Sequence, residues 1–251
     1  NQKAANHVVM LRNTSKGHSL YTTFQLQKNF VDGILKGLYL NGSYSFGQSR
    51  GVTDGTSSVA TSAWKYRAAL DGNAEEVGYT AGSFDGRLLL SASYTANWSK
   101  YAATSFGLIY QRYRPFRYSY CYNGDANGDS QFSNDLMYIP ANFDEVKDHL
   151  LPGDFDSQED AWKAMNAFIE QDPYLSKHRG EYAERNGAVA PFANQLDLSV
   201  SHDIKIYQKN GRSHTLRFSF NIANFLNLLN RNWGVVQTTA VSYTHLRAHE
   251  T

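Results

Sequence analysis

Three oxygen-bearing side chains at alternate positions have the spacing most typical of chemistry in this chain. Asp125, Asn127 and Asp129 occupy the first, third and fifth positions of a stretch similar to calcium loops, in which alternate residues converge their oxygens on one hard cation. The match is partial, because the sixth position is Ser130 where glycine is expected and the twelfth is Leu136 where glutamate is expected. The spacing predicts either a calcium site or a metal-free loop closed by Asx turns.

Catalytic and zinc motifs are not visible in the sequence. It has no nucleophile elbow, no His-Glu-x-x-His motif and no glycine-rich phosphate loop. His202, near the end of a predicted strand, is interpreted as an interfacial or lumen-facing polar residue. The lone cysteine, Cys121, cannot form an internal disulfide, and no Cys/His spacing suits zinc. We therefore expect that the protein is not an enzyme.

Composition narrows the class of partner. Lys and Arg number 24 against 23 Asp and Glu, so the net charge of +1 leaves no basic footprint for nucleic acid. No apolar run approaches the roughly 20 residues that a membrane-spanning helix needs. Aromatic residues reach 14%, with 17 tyrosines, which suits a sheet that has one apolar and one polar face.

Alternation of polar and apolar residues is the main signal of the fold. In the segment 19–27, Leu20, Phe24 and Leu26 fall on one face while Gln25 falls on the other. Six such segments are predicted to pair as three hairpins: 19–27 with 38–46, 88–95 with 105–111, and 195–206 with 215–222. With 7–12 as a weaker first strand, the chain holds about seven strands of the ~10-residue length that crosses an outer membrane.

The predicted connections alternate in length. Short turns at 31–33, 97–101 and 208–212 lie on one side, whereas the loops 47–85 and 114–191 lie on the other. Short periplasmic turns opposite long extracellular loops are typical of transmembrane barrels. A soluble β-sandwich remains the alternative, because its strands also alternate.

Polar residues in mid-strand and aromatic residues at strand ends favour the barrel over the sandwich. The polar positions are Gln25, Asn41, Asp197, Arg217 and Asn221, and the aromatic ones are Tyr44, Phe46, Tyr94, Trp98, Tyr110 and Tyr113. The predicted fold is all-β: an incomplete transmembrane antiparallel β-barrel with a small helical insertion in one extracellular loop.

The helical insertion is expected at about 143–187. Ser157 and Asp160 form an S-x-x-D cap for one helix, and Asp172-Pro173 is expected to start another that ends near Gly187. The apolar stripe of the first helix is expected to rest on the loops and the upper barrel wall. In the other long loop, Trp64 and Tyr66 are interpreted as loop-anchoring aromatics, with ligand stacking as the alternative.

The last eleven residues, 241–251, closely resemble the translation of a sequencing-library adapter and are interpreted as a non-native tail. They would otherwise add His245 and His249 as false ligand candidates. The natural part of the chain is therefore expected to be 1–240.

Across nearly all of residues 1–240, the chain resembles the C-terminal barrel region of Bacteroidetes TonB-dependent outer-membrane receptors, the type with an N-terminal carboxypeptidase-regulatory-like domain. The order of several short stretches carries the resemblance. These stretches are 11–17 (LRNTSKG), 54–60 (DGTSSVA), 124–140 (ending NDLMYIP), 179–180 (RG), 185–187 (RNG), 191–196 (PFANQL) and 224–230 (NFLNLLN).

The resemblance implies an outer-membrane barrel of about 22 strands in a Gram-negative cell, filled by a plug domain. A TonB-type energy-transducing protein would act through that plug, and the barrel would contact outer-membrane lipid. The implied function is active uptake of a small-molecule or oligomeric ligand, such as a siderophore, cobalamin, a peptide or a glycan. The alternatives are a surface binding or adhesion barrel without transport, and a secreted soluble β-sandwich binding module.

Overall fold

A computed structural model describes residues 9–55, 57–207 and 212–237. Residues 208–211 of the predicted third turn, the start of the weak first strand and the adapter-like tail lie outside this range.

Strands dominate the described structure, with 40% of residues in strands and 14% in helices, which confirms the mostly-β prediction. The strands are β1 (His18–Asn29), β2 (Leu38–Gly51), β3 (Gly78–Tyr79), β4 (Phe84–Asn97), β5 (Ala102–Tyr113), β6 (Arg117–Tyr118), β7 (Tyr138–Ile139), β8 (Glu181–Tyr182), β9 (Ala188–Val189), β10 (Ala193–Tyr207) and β11 (Ser213–Ile222). The helices are α1 (Ala60–Lys65), α2 (Gln158–Gln171) and α3 (Phe225–Leu229), with 3-10 turns at Phe143–Glu145 and Leu175–Lys177. In the described residues, no helix has the length and apolar character to cross a membrane.

The main sheet is antiparallel, with the strand order β1-β2-β4-β5-β10-β11 and with β3 attached to β2. The three predicted hairpins are confirmed: β1 pairs with β2, β4 with β5, and β10 with β11. Within the described range, β1 and β11 stand at the two ends of this order, so each has one edge without a neighbouring strand.

The predicted first strand is wrong over the part that can be assessed, because residues 9–12 form no strand. Among the residues that the structure describes, six long strands therefore stand where about seven were expected. The seventh member of the sheet is the two-residue strand β3, which pairs with Arg50 and Gly51 at the end of β2. Its shortness explains why alternation could not reveal it.

The first hairpin turn is longer than the predicted 31–33. Phe30 N donates to Leu38 O at 2.9 Å, and Gly37 N donates to Phe30 O at 2.9 Å, so the connection spans 30–37. Gly37 has a φ of +90°, which is strained for residues that carry a Cβ. A glycine at this point lets the chain reverse tightly into β2.

The connections between long strands alternate between the two ends of the sheet. Residues 30–37 and 98–101 join strands at one end, whereas 52–83 and 114–192 join them at the other. We call the last two the first long loop and the second long loop.

The second long loop has its own hydrophobic core. Ile139, Ile169 and Leu175 are fully buried, and Met165 and Leu150 are buried with them. Trp162 and Phe143 pack against this cluster, with ring centroids 6.1 Å apart. The apolar stripe of α2 thus packs against other parts of its own loop.

The start of α2 confirms the predicted cap, because the Ser157 side chain accepts a hydrogen bond from Asp160 N at 3.2 Å. The second predicted helix is wrong. Asp172 Oδ1 instead accepts from the amides of Tyr174 and Leu175, both at 2.8 Å, and caps only a single 3-10 turn. The chain beyond that turn pairs as β8 and β9, so its backbone hydrogen bonds go to strands.

Truncation of Ile169 tests the independent core. Because this side chain is fully buried, Ile169→Ala is expected to lower the stability of the second long loop by about 2–5 kcal/mol. Native-state proteolysis should therefore cut within 114–192 much faster. Ile34→Ala, at a fully exposed position, is the matched control and should leave cleavage unchanged. Equal cleavage of the two variants would contradict the packing described.

Candidate functional site

The predicted metal ligands lie in one compact turn, which we call the Asp loop (residues 125–135). Asp125 organises it: its Oδ1 accepts from Gly128 N at 2.7 Å and Asp129 N at 3.1 Å, and its Oδ2 accepts from Ser130 N at 2.7 Å. Asn127 Oδ1 accepts from Asp129 N at 2.9 Å. The Asn127 contact is an Asx turn, the arrangement expected of the metal-free alternative, and Asp125 closes the same loop through amides three to five residues further on.

The structure adds a fourth residue, Asp135, to the three that the spacing identified. Its Oδ2 accepts from Ala126 N at 2.6 Å and from Asn127 N at 3.4 Å, so its carboxylate lies against the start of the loop. The side chain is buried, at 3% exposure. Burial raises the pKa of Asp135, and the nearby charges of Asp129 and Asp125 act in the same direction.

The carboxylates of the Asp loop do not form a finished ligand set. In the part of the chain that the structure describes, no three His, Cys, Asp or Glu side chains converge on a metal position. The alternate spacing therefore places oxygens in one turn without bringing all of them to one point.

The Asp loop is joined to the first long loop. Ala69 N donates to Asn134 O at 2.9 Å, and Asn127 Nδ2 donates to Leu70 O at 3.3 Å. Gly72 lies beside both the Trp64 indole and the Asp129 carboxylate. A Cβ at this position would be 3.2 Å from Trp64 Nε1 and 3.5 Å from Asp129 Oδ2. The Trp64 indole and the Asp129 carboxylate are therefore neighbours.

The two predicted loop aromatics differ in their surroundings. Trp64 is half-buried in α1 beside Gly72, which agrees with an anchoring role. Tyr66 is 81% exposed, so the anchoring interpretation is wrong for this residue. The hydroxyl group of a tyrosine can bond to water, so an exposed tyrosine is not unusual.

Arg185 ties the two long loops together. Its side chain is buried, and its guanidinium donates to Val52 O at 2.6 Å and to Gly51 O. Asp54 Oδ1 lies 3.9 Å from Arg185 Nε, which is close enough for attraction and too long for a hydrogen bond. Burial lowers the pKa of Arg185, and the Asp54 charge opposes that shift.

A second charged contact lies beside the first. Tyr79 contacts two guanidinium groups: that of Arg50 lies 4.4 Å and that of Arg117 4.1 Å from its ring centroid. Arg50 also pairs with Glu184, and Arg117 pairs with Asp85. The ends of β2 and β4 are therefore bonded to the second long loop, and this end of the sheet is covered by folded structure.

One face of the main sheet is lined with polar side chains that bond across strands. Examples are Gln25 to Asn41 at 2.8 Å and Gln111 to Gln195 at 2.9 Å, and Arg217 holds Asp203 through two hydrogen bonds of 2.6 and 2.7 Å. Leu89 and Ile109 are apolar exceptions on this face. Cross-strand pairs of this kind stabilise a sheet, and here they make this face polar.

The opposite face is apolar and uncovered. The register places Phe24 beside Tyr44, Leu90 beside Gly42 and Tyr110, and Val200 beside Phe106 and Phe220. The exposed fractions of Leu26, Phe220, Leu90 and Val200 are 80%, 65%, 42% and 37%. The apolar face is therefore continuous across all six long strands and lies open to the surroundings.

His202 interrupts this apolar face near the end where the short turns lie. Its Nδ1 lies 2.8 Å from Thr104 Oγ1, which also accepts from Trp98 Nε1 at 2.7 Å. Trp98 and Tyr101 border the face at this end and are exposed. His202 therefore lies on the apolar face of the sheet, near its border.

Asp135 and Arg185 are the important polar residues that local spacing did not single out. Asp135 occupies the eleventh position of the calcium pattern. The pattern expects its last ligand at the twelfth position and therefore does not include this residue. Arg185 acts on residues more than a hundred positions away in sequence, so no local pattern could have revealed its partners.

Comparison with known proteins identifies no relative of this chain. No family model matches it, and neither a curated protein nor a solved structure matches it.

Replacement of Arg185 tests the link between the loops. Arg185→Met keeps the length of the side chain and removes the buried cation, which leaves two carbonyl groups without their donor and Asp54 without its neighbouring positive charge. The expected cost is about 3–5 kcal/mol, seen as faster proteolysis within 52–59. Lys177→Met, at an exposed position of the same loop, is the control. Unchanged protection of 52–59 in the Arg185 variant would show that the guanidinium does not hold the two loops together.

Proposed function

We propose that this chain forms part of the β-barrel of an outer-membrane transporter of the TonB-dependent type. The observation that carries the proposal is the uncovered apolar face across six strands. Soluble monomers rarely expose apolar patches larger than a few hundred Å², whereas the lipid-facing side of a barrel must be apolar.

The height of the apolar face fits a bilayer. In β10, the apolar positions run from Leu196 to Ile206. At a rise of ~3.3 Å per residue this stretch is about 33 Å long, and a tilt of ~40° reduces its height to about 25 Å. That height matches the apolar band of outer-membrane barrels. Trp98 and Tyr101 border the apolar face at the end near the short turns, where an outer-membrane barrel has a girdle of aromatic residues at the membrane interface.

The polar face supports the same proposal. Gln25, Gln111 and Arg217 would face the lumen, where water and polar residues of a plug can contact them. The edges of β1 and β11 that have no neighbour among the described strands would pair with further strands, because lipid offers no water to satisfy unpaired backbone groups. The folded long loops would lie outside the cell, where a ligand first arrives.

A soluble β-sandwich is less well supported. In a sandwich the apolar face of each sheet is covered by the other sheet. Within the described ranges, the additional sheets are the two-stranded pairs β6-β9 and β7-β8 of the second long loop, and Leu90 and Val200 stay exposed.

Transport and adhesion differ in what must lie elsewhere in the same reading frame. Active uptake needs a plug domain and a segment that engages the energy-transducing protein, whereas an adhesion barrel needs neither. A reading frame that encodes a plug before this barrel region supports transport, and one that encodes only more barrel or a lectin-like domain supports adhesion. The transported ligand would be bound by the loops and the plug together.

A charge scan of neighbouring positions in β4 tests the barrel. Leu90→Arg would place a cation on the lipid-facing side, at an expected cost of about 2–4 kcal/mol near mid-bilayer. Ser93→Arg would place the same cation on the polar face, where water solvates it. In the full-length protein, the first variant should reduce the heat-modifiable folded form in outer membranes, and the second should not. Equal effects of the two variants would contradict a lipid-facing apolar side.

A further inference from the structure

We propose that the Asp loop binds one calcium ion, with Asp135 as the ligand that replaces the missing glutamate of the sequence pattern. The inference does not depend on transport, because the Asp loop is part of the second long loop and not of the two faces of the main sheet. It extends the three residues with calcium-like spacing by one buried acid that only the fold brings to them.

The backbone of the loop already has the shape that the pattern requires. Calcium loops of this kind use glycine at the sixth position to make a sharp turn. Ser130 stands there and has a φ of +66°, the left-handed conformation that glycine normally provides. Replacement of the glycine by serine therefore does not change the course of the chain at this point.

Asp135 indicates a missing ligand. Its side chain is 3% exposed, and its Oδ1 has no hydrogen-bond partner among the described residues. Its Oδ2 accepts from Ala126 N at 2.6 Å, so the unpartnered oxygen belongs to a carboxylate that is held at the start of the Asp loop. A buried carboxylate oxygen without a partner is unusual in folded proteins. A cation bound in the loop would give this oxygen its missing partner.

The local charge also favours a cation. The Asp135 carboxylate accepts from the amides of Ala126 and Asn127, which lie between Asp125 and Asp129 in the chain, so three acids share one turn. Asp125 Oδ1 and Asp135 Oδ2 each accept two amide hydrogen bonds. Lone pairs for a metal therefore remain on Asp125 Oδ2, Asn127 Oδ1, the Asp129 carboxylate and Asp135 Oδ1. A bound divalent cation would replace the mutual repulsion of the three acids by attraction.

The donors fit calcium better than zinc or magnesium. All are carboxylate or amide oxygens, which hard cations prefer. Because the acids do not yet converge, the loop must contract around the ion. Calcium accepts six to eight oxygens in irregular geometry, whereas magnesium demands a near-ideal octahedron. We expect a modest affinity, with a dissociation constant of about 10⁻⁴–10⁻³ M, as in extracellular modules.

Terbium luminescence provides a direct test, because Trp64 lies beside Asp129 and can transfer excitation energy to a lanthanide bound there. Purified protein that carries the whole chain, solubilised in detergent, is titrated with Tb³⁺ while the indole is excited. Saturable terbium emission that calcium displaces at millimolar concentration, and that equal magnesium does not, supports the site. Absence of saturable emission, together with no heat of calcium binding in calorimetry, would overturn it.

Variants assign the ligands. Asp129→Asn and Asp135→Asn are each expected to weaken calcium binding at least about tenfold, because each removes a negative ligand. Asp148→Asn, at an exposed position of the same long loop, should leave binding unchanged. Circular dichroism checks the folding of the Asp135 variant, and the half-buried Asp129 gives an independent result if that variant unfolds. Trp64→Phe should abolish terbium emission while calorimetry still detects calcium. Wild-type affinity in a folded Asp129→Asn variant would overturn the assignment.

Discussion

The constraint on which this structure depends is the strict alternation of side chains along antiparallel strands. Each long strand places its even-numbered residues on one face and its odd-numbered residues on the other. The register keeps the two sets aligned from β1 to β11, except at the end of the β2–β4 pair, where it shifts between Ser45 and Gly47. A slip of one residue at any pair would mix Leu90 or Phe220 with the polar ladder. The pairing of the strands is therefore fixed by the need to keep the two faces separate. The apolar face requires apolar surroundings, and the polar face requires water or other polar groups.

Those opposite demands explain where the hydrophobic core lies. The fully buried apolar side chains, such as Ile139, Ile169 and Leu175, belong to the second long loop, whereas the large apolar residues of the sheet remain exposed. In a soluble protein this distribution would be reversed. The proposed barrel accounts for it, because lipid takes the place of a protein core on the sheet while the loops, in water, must bury their own apolar groups.

The loops are joined to each other and to the sheet by charged groups that are largely removed from water. Arg185 donates to carbonyls at the end of β2, and the guanidinium groups of Arg50 and Arg117 both lie on the Tyr79 ring. Guanidinium groups suit this role because they bind carbonyls, carboxylates and aromatic rings at once. The ordered end of the sheet is thus a surface of defined shape, which a ligand-binding role requires.

Local sequence patterns predicted the parts of the fold that depend on local periodicity. The three hairpins and the Ser157 cap are examples, since alternation and capping are readable within a few residues. The same reasoning failed at Asp172, where capping residues serve a single 3-10 turn because the following chain pairs with strands. It also missed β3, Asp135 and Arg185, whose roles come from contacts between segments that are distant in sequence.

The central claim is that the apolar face contacts lipid, and site-directed labelling measures this most directly. A fluorophore is attached to Leu90→Cys or to Ser93→Cys in a Cys121→Ser background, in the full-length protein reconstituted into vesicles. Brominated lipids should quench the label at position 90, and a water-soluble quencher should act on the label at position 93. Strong aqueous quenching at position 90, with no effect of brominated lipid, would contradict the account.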